Sequence, residues 1–129
     1  MAEERCSQRA RSGRLGKARQ FLLAAQLIKD FADEGEVADA YVTLCVHAGI
    51  AAADVICCAR LGRYAHGDDH AEAMALLRKA GALDAAKRLG VLLGLKTKSG
   101  YTYIPSTKTD VTKASRAAEN LVATAERAA

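Results

Sequence analysis

Tryptophan is absent from this chain of 129 residues, proline occurs once, and aromatic residues make up 5% of it. Hydrophobic residues account for 50%, and alanine and leucine supply most of them. Alanine loses no side-chain entropy on entering a helix, so this composition favours helices whose backbones pack closely. A mass of 13.6 kDa allows one continuous core and is too small for two. No internal repeat or low-complexity linker divides the chain.

No apolar run follows a basic start at the N-terminus, so no signal peptide is apparent, and the cytoplasm is the expected location. The four cysteines, Cys6, Cys45, Cys57 and Cys58, lack the paired spacing of a zinc site. A bond between neighbouring Cys57 and Cys58 would be strained. All four are expected to be reduced and buried. The segment from Ala40 to Ala59 invites comparison with a membrane span, but His47 and Asp54 interrupt it and small residues dominate it. A buried helix explains it better, and no membrane is expected as a partner.

The net charge is +4 and the isoelectric point about 9.0, a modest lean towards anionic partners. One basic region holds Arg5, Arg9, Arg11, Arg14, Lys17 and Arg19; the other holds Lys87, Arg88, Lys96, Lys98 and Lys108. Between them lie Asp30, Asp33, Glu34, Glu36 and Asp39.

Residues 1–13 are polar and basic without a clear apolar stripe and read as an N-terminal arm or an early helical turn. A single helical domain is expected over 14–129. Leu15, Ala18, Leu22, Ala25 and Ile28 recur at spacings of three and four, predicting a first helix from Arg14 to about Asp33, closed by Glu34-Gly35-Glu36. A second runs from about Val37 to Leu61 and is apolar or small on most sides, so it is the central helix. Within it His47 and Asp54 stand seven residues apart, on one side of the helix. Both are expected to be buried polar groups that meet another helix or a second subunit.

Asp69 with Glu72 forms a capping pattern for a third helix, to about Ala80. Leu83, Ala86, Gly90 and Leu93 mark a fourth, ending in Lys96-Thr-Lys-Ser-Gly100. Thr107 with Asp110 opens a fifth, whose stripe is Val111, Ala114, Ala118, Leu121 and Ala125. The predicted fold is all-α, an up-and-down bundle of about five helices.

The chemistry concentrates in Arg60-Leu-Gly-Arg63-Tyr-Ala-His66-Gly-Asp-Asp-His70. Arginine holds phosphate through a planar fork of donors, and histidine moves a proton near neutral pH. Arg60 and Arg63 are expected at the end of the second helix, where they also suit its carbonyl end. His66 is expected in the loop. His70 is expected in the first turn of the third helix, where the helix dipole opposes protonation. Asp68 and Asp69 beside the two histidines form only a weak metal pattern, and no metal site is expected.

From Val37 onwards the chain resembles the HEPN superfamily, small helical bundles of prokaryotic toxin and antitoxin systems, phage defence and nucleotide-linked proteins. The resemblance rests on Tyr41, Ala48, Ala51 and Ala52 in the second helix, the glycine-containing connector ending in His70, and a fourth helix closing with a basic residue and Tyr101. The ribonucleases of that superfamily carry Arg, four to six residues, then His. Arg60 with His66 and Arg63 with His70 both match. Leu61 and Tyr64 stand where a polar residue usually follows the Arg.

The resemblance implies a metal-independent endoribonuclease of the toxin type, acting as a homodimer without a cofactor. Arg would steady the scissile phosphate and His would activate the ribose 2′-hydroxyl. Lys96, Lys98 and Tyr101 would line the RNA path by charge and stacking. The alternative is a non-catalytic helical module or homodimeric scaffold. It would bind RNA, a nucleotide, or a protein partner such as an antitoxin or a nucleotidyltransferase.

Overall fold

The computed structural model describes residues 3–31 and 35–129. Its elements are β1 (Glu3–Arg5), α1 (Gln8–Phe31), α2 (Ala38–Leu61), β2 (Arg63–Ala65), α3 (His70–Lys79), α4 (Leu83–Tyr101) and α5 (Lys108–Ala128). The fold is an all-α helical bundle, as the composition and periodicity predicted. The expected end of the first helix at Asp33, and Glu34 of the acidic cluster, lie outside the described residues.

The middle of the bundle is α2. Every residue from Ala51 to Cys58 is buried, two full turns covered on all sides. This helix is long and apolar enough to cross a membrane, and 72% of its most apolar window is buried against the rest of the chain. Neighbouring helices cover it: α1 through Ala18 and Ala25, α4 through Leu89 and Leu92, and α5 through Ala114, Ala118, Leu121 and Ala125. Contacts at successive heights set the directions. Arg14 meets Asp54 and Phe21 meets His47, so α1 runs antiparallel to α2. Ser99 meets Thr43, and Leu92 lies against Gly49, so α4 is antiparallel to α2 as well.

At Gly49 the helices come closest. A Cβ built there would run into Leu92 Cδ1 and come within 3.2 Å of Leu121 Cδ1, so α2, α4 and α5 share a volume that only glycine leaves open. Leu92 and Leu121 are fully buried, and truncating either to alanine is expected to cost about 2–5 kcal/mol.

Polar contacts fix the ends. The capping box predicted at α5 is complete, with Thr107 and Asp110 each bonding the other's backbone N–H. Lys98 Nζ donates to the same Asp110 carboxylate at 2.8 Å, joining the end of α4 to the start of α5. Ser106 donates through both backbone N–H and hydroxyl to Asp39 Oδ1 at 2.8 and 2.7 Å, pinning the α4–α5 loop to the first turn of α2. Asp54 is buried as expected and takes a 2.8 Å bond from Arg14 Nε.

Four local expectations are corrected. The first helix starts at Gln8 rather than Arg14, because the Ser7 hydroxyl accepts from Ala10 N–H at 3.0 Å and caps it. Residues ahead of it are not a simple arm: β1 pairs antiparallel with β2, in register Glu3↔Ala65, Glu4↔Tyr64 and Arg5↔Arg63. Arg63 therefore sits in a strand, not at the end of the second helix. Gly62 makes this possible by ending α2 in the left-handed region, with φ of 70° and its N–H bonded to Cys58 carbonyl at 3.0 Å. Finally, Cys6 and Cys58 are joined in a disulfide across 5.4 Å between Cα atoms, which overturns the expectation that all four cysteines are reduced. The β1–β2 pairing carries Cys6 back to the end of α2. Cys45 and Cys57 are free and buried.

Candidate functional site

His70 is the first residue of α3. The preceding Asp69 caps the helix by accepting from Glu72 N–H at 3.0 Å, as its spacing from Glu72 predicted. With the helix start fixed, the imidazole lies against α4, where Lys96 Nζ is 3.3 Å from Nε2. An ammonium has protons to donate and no lone pair, so Nε2 accepts and the imidazole carries its own proton on Nδ1. Burial lowers the pKa of His70 below 6.5, and the Lys96 charge adds to the effect. His47 pushes the same way, while Asp68 and Asp69 oppose it. The neutral state expected for His70 therefore has burial and Lys96 as its first causes.

Lys96 also faces the ring of Tyr101, 5.9 Å from its centroid. That ring is 77% exposed, and Tyr103 in the following loop is 97% exposed. Behind Lys96, Ser99 Oγ donates to the Lys96 carbonyl at 3.3 Å and accepts from Thr43 Oγ1 at 3.1 Å, which locks the last turns of α4 to α2. One turn beyond Thr43 on α2 is His47, whose ring lies 5.4 Å from that of Phe21, tilted by 33°. His47 is exposed, contrary to its expected burial. It lies beside Phe21 of α1, and its charge acts on His70 of α3. Three helices thus bring two imidazoles, an ammonium and an exposed phenol to one face.

The expected arginine pairs are arranged differently. Arg60 Nη1 points to the Ala80 carbonyl at 3.5 Å, at the far end of α3. The His66 carbonyl bonds Asp69 N–H at the near end. These two contacts lie at opposite ends of α3, a helix about 15 Å long. The Arg63 charge acts on Cys57, whereas the charges that act on His70 are Lys96, Asp68, Asp69 and His47. The cation beside His70 is Lys96, not Arg63. Of the residues expected along an RNA path, Lys96 and Tyr101 share this face, while Lys98 is engaged by Asp110.

Neither the Lys96 contact nor the exposure of His47 was read from the sequence. Lys96 lies 26 residues beyond His70 across a helix boundary, and no local pattern joins them. For His47 a signal was available: Thr43 and His47 are four residues apart, a polar stripe that marks the open side of an apolar helix. No group of three or more histidine, cysteine or acidic side chains able to hold a metal ion occurs among the described residues. No protein-family model matches the sequence, and no curated protein matches it.

Proposed function

We propose that this chain is an RNA-binding helical bundle of the HEPN kind, with its contact face at Lys96, His70 and Tyr101. The observation that carries the reading is the position of Lys96 between a neutral imidazole at 3.3 Å and an exposed aromatic ring at 5.9 Å. A strand of RNA repeats the same two features, a phosphate and a flat base, at neighbouring positions. The ammonium serves the phosphate, and Tyr101, with Tyr103 beyond it, offers a stacking surface to an unpaired base.

The lowered pKa of His70 favours a catalytic use of the same face. While Lys96 occupies Nε2, the imidazole has no free lone pair to take a proton. A phosphate bound at Lys96 would draw the ammonium towards itself and free Nε2 to accept the proton of a ribose 2′-hydroxyl. Lys96 would then stabilise charge on the phosphate. In this reading Lys96 takes the part that the HEPN ribonucleases give to Arg.

Fluorescence anisotropy with labelled single-stranded RNA in chelator tests the binding. Lys96→Ala and Tyr101→Ala are each expected to weaken affinity by about tenfold, with wild-type affinity falling steeply as salt rises. Affinity unmoved by both substitutions and by salt would overturn the reading. Cleavage is read separately on gels, where His70→Ala should abolish any metal-independent product that wild type forms.

A further inference from the structure

On the far side of α4 from its seam with α2, α4 and α5 enclose a groove of about 490 Å³. Gly90, Val91, Gly94, Leu95 and Ala117 form its floor, and Lys87, Arg88, Lys113 and Arg116 stand around it with one acid, Asp84. Asp84 is already taken by Arg88, at 2.9 Å. Among the described residues no carboxylate pairs with Lys87, Lys113 or Arg116. The groove thus combines an apolar floor with three positive charges that no described carboxylate pairs.

We propose that this groove is a docking site for an acidic amphipathic helix of a protein partner. The stretch of α4 from Asp84 to Leu95 is about 17 Å long, room for three turns of a helix laid alongside. Val91 is partly exposed on the floor. A Cβ added at Gly94 would meet nothing within 4 Å, so at that point a partner side chain can lie directly on the α4 backbone. An apolar stripe would cover the floor while carboxylates on either side of it reach Lys87, Lys113 and Arg116. Two other occupants fit less well. RNA would find no aromatic ring in the lining on which to stack. A second copy docked through the same face would set like charges against each other.

The groove also provides its own test. Gly94→Leu fills it from a position where the added side chain has open space, so the fold is expected to survive, as circular dichroism would show. Lys113→Glu with Arg116→Glu reverses charge at two exposed positions. The probe is a labelled helical peptide with leucines at every third and fourth position flanked by glutamates. Its controls are a scrambled version and one with lysine in place of glutamate.

The acidic helix should bind the wild-type chain with micromolar affinity. Each variant should weaken it at least about tenfold, and the lysine peptide should not bind. Equal binding of the scrambled peptide, or binding indifferent to both variants, would overturn the proposal. Loss of RNA binding in Gly94→Leu without any binding of the acidic peptide would assign the groove to RNA instead. None of these variants replaces Lys96, His70 or Tyr101, so loss of peptide binding with RNA binding retained would bear on the groove alone.

Discussion

Lys96 Nζ and His70 Nε2 lie 3.3 Å apart across two helices, so the state of each side chain depends on the other. Removing the ammonium with Lys96→Met should raise the pKa of His70. It should remain below 6.5, because burial is the larger cause of the depression. Titration of the imidazole resonances by NMR checks both parts; an unchanged pKa would mean that the two side chains do not meet. Inorganic phosphate at the same face should also raise it. The linkage has a definite sign. With its folded pKa below the unfolded one, His70 contributes stability that is complete above 6.5 and is lost as pH falls through the folded value.

A second acid-side effect belongs to Asp110. The Lys98 hydrogen bond, followed by the Thr107 backbone, holds its carboxyl below 3.8. Its contribution is therefore present above 3.8 and disappears as pH falls through the lower folded value. Asp110→Asn should cost about 1 kcal/mol at pH 7, a modest figure because Lys98 is 35% exposed and solvent screens the pair. Urea titrations at pH 7 and pH 2 should show the gap between wild type and variant closing in acid.

Gly49 tests whether the close approach of three helices governs stability. Gly49→Val puts methyl groups where Leu92 and Leu121 already lie, and is expected to cost about 2–3 kcal/mol. In a Leu92→Ala background the same substitution should cost much less, since the cavity receives the new side chain. Additive losses in the double variant would show that the two sites do not share a volume.

The disulfide is checked by counting thiols. Unfolded without reductant, the chain should react with a thiol reagent at two positions, Cys45 and Cys57, and at all four after reduction. In the folded protein both free thiols should be nearly inert, because burial pushes Cys45 up to about 11 and Cys57 up to about 12. Reduction removes a constraint over a separation of 52 residues and should lower stability by up to about 4 kcal/mol on loop-entropy grounds.

What could be read from the sequence was whatever depends on neighbours three or four positions away. The stripe of α5, the cap of α3 at Asp69 and the box at Thr107 all have that range, and all were found. The start of α1 was missed although Ser7 lies at the capping position, because the apolar stripe that signals a helix begins only at Leu15. Contacts between distant segments were the other failure. Strands of three residues have no alternation to detect, so the β1–β2 pairing was hidden, and with it the partner of Cys58. The site shows the same division. His70 is legible as a residue, but the cation beside it comes from another helix.

The Cys6–Cys58 bond makes a covalent ring of the chain that contains α1 and most of α2. Any single peptide-bond cut between those two residues would open the ring without dividing the molecule. A nicked chain would keep its full mass on a non-reducing gel and separate into two pieces only after reductant.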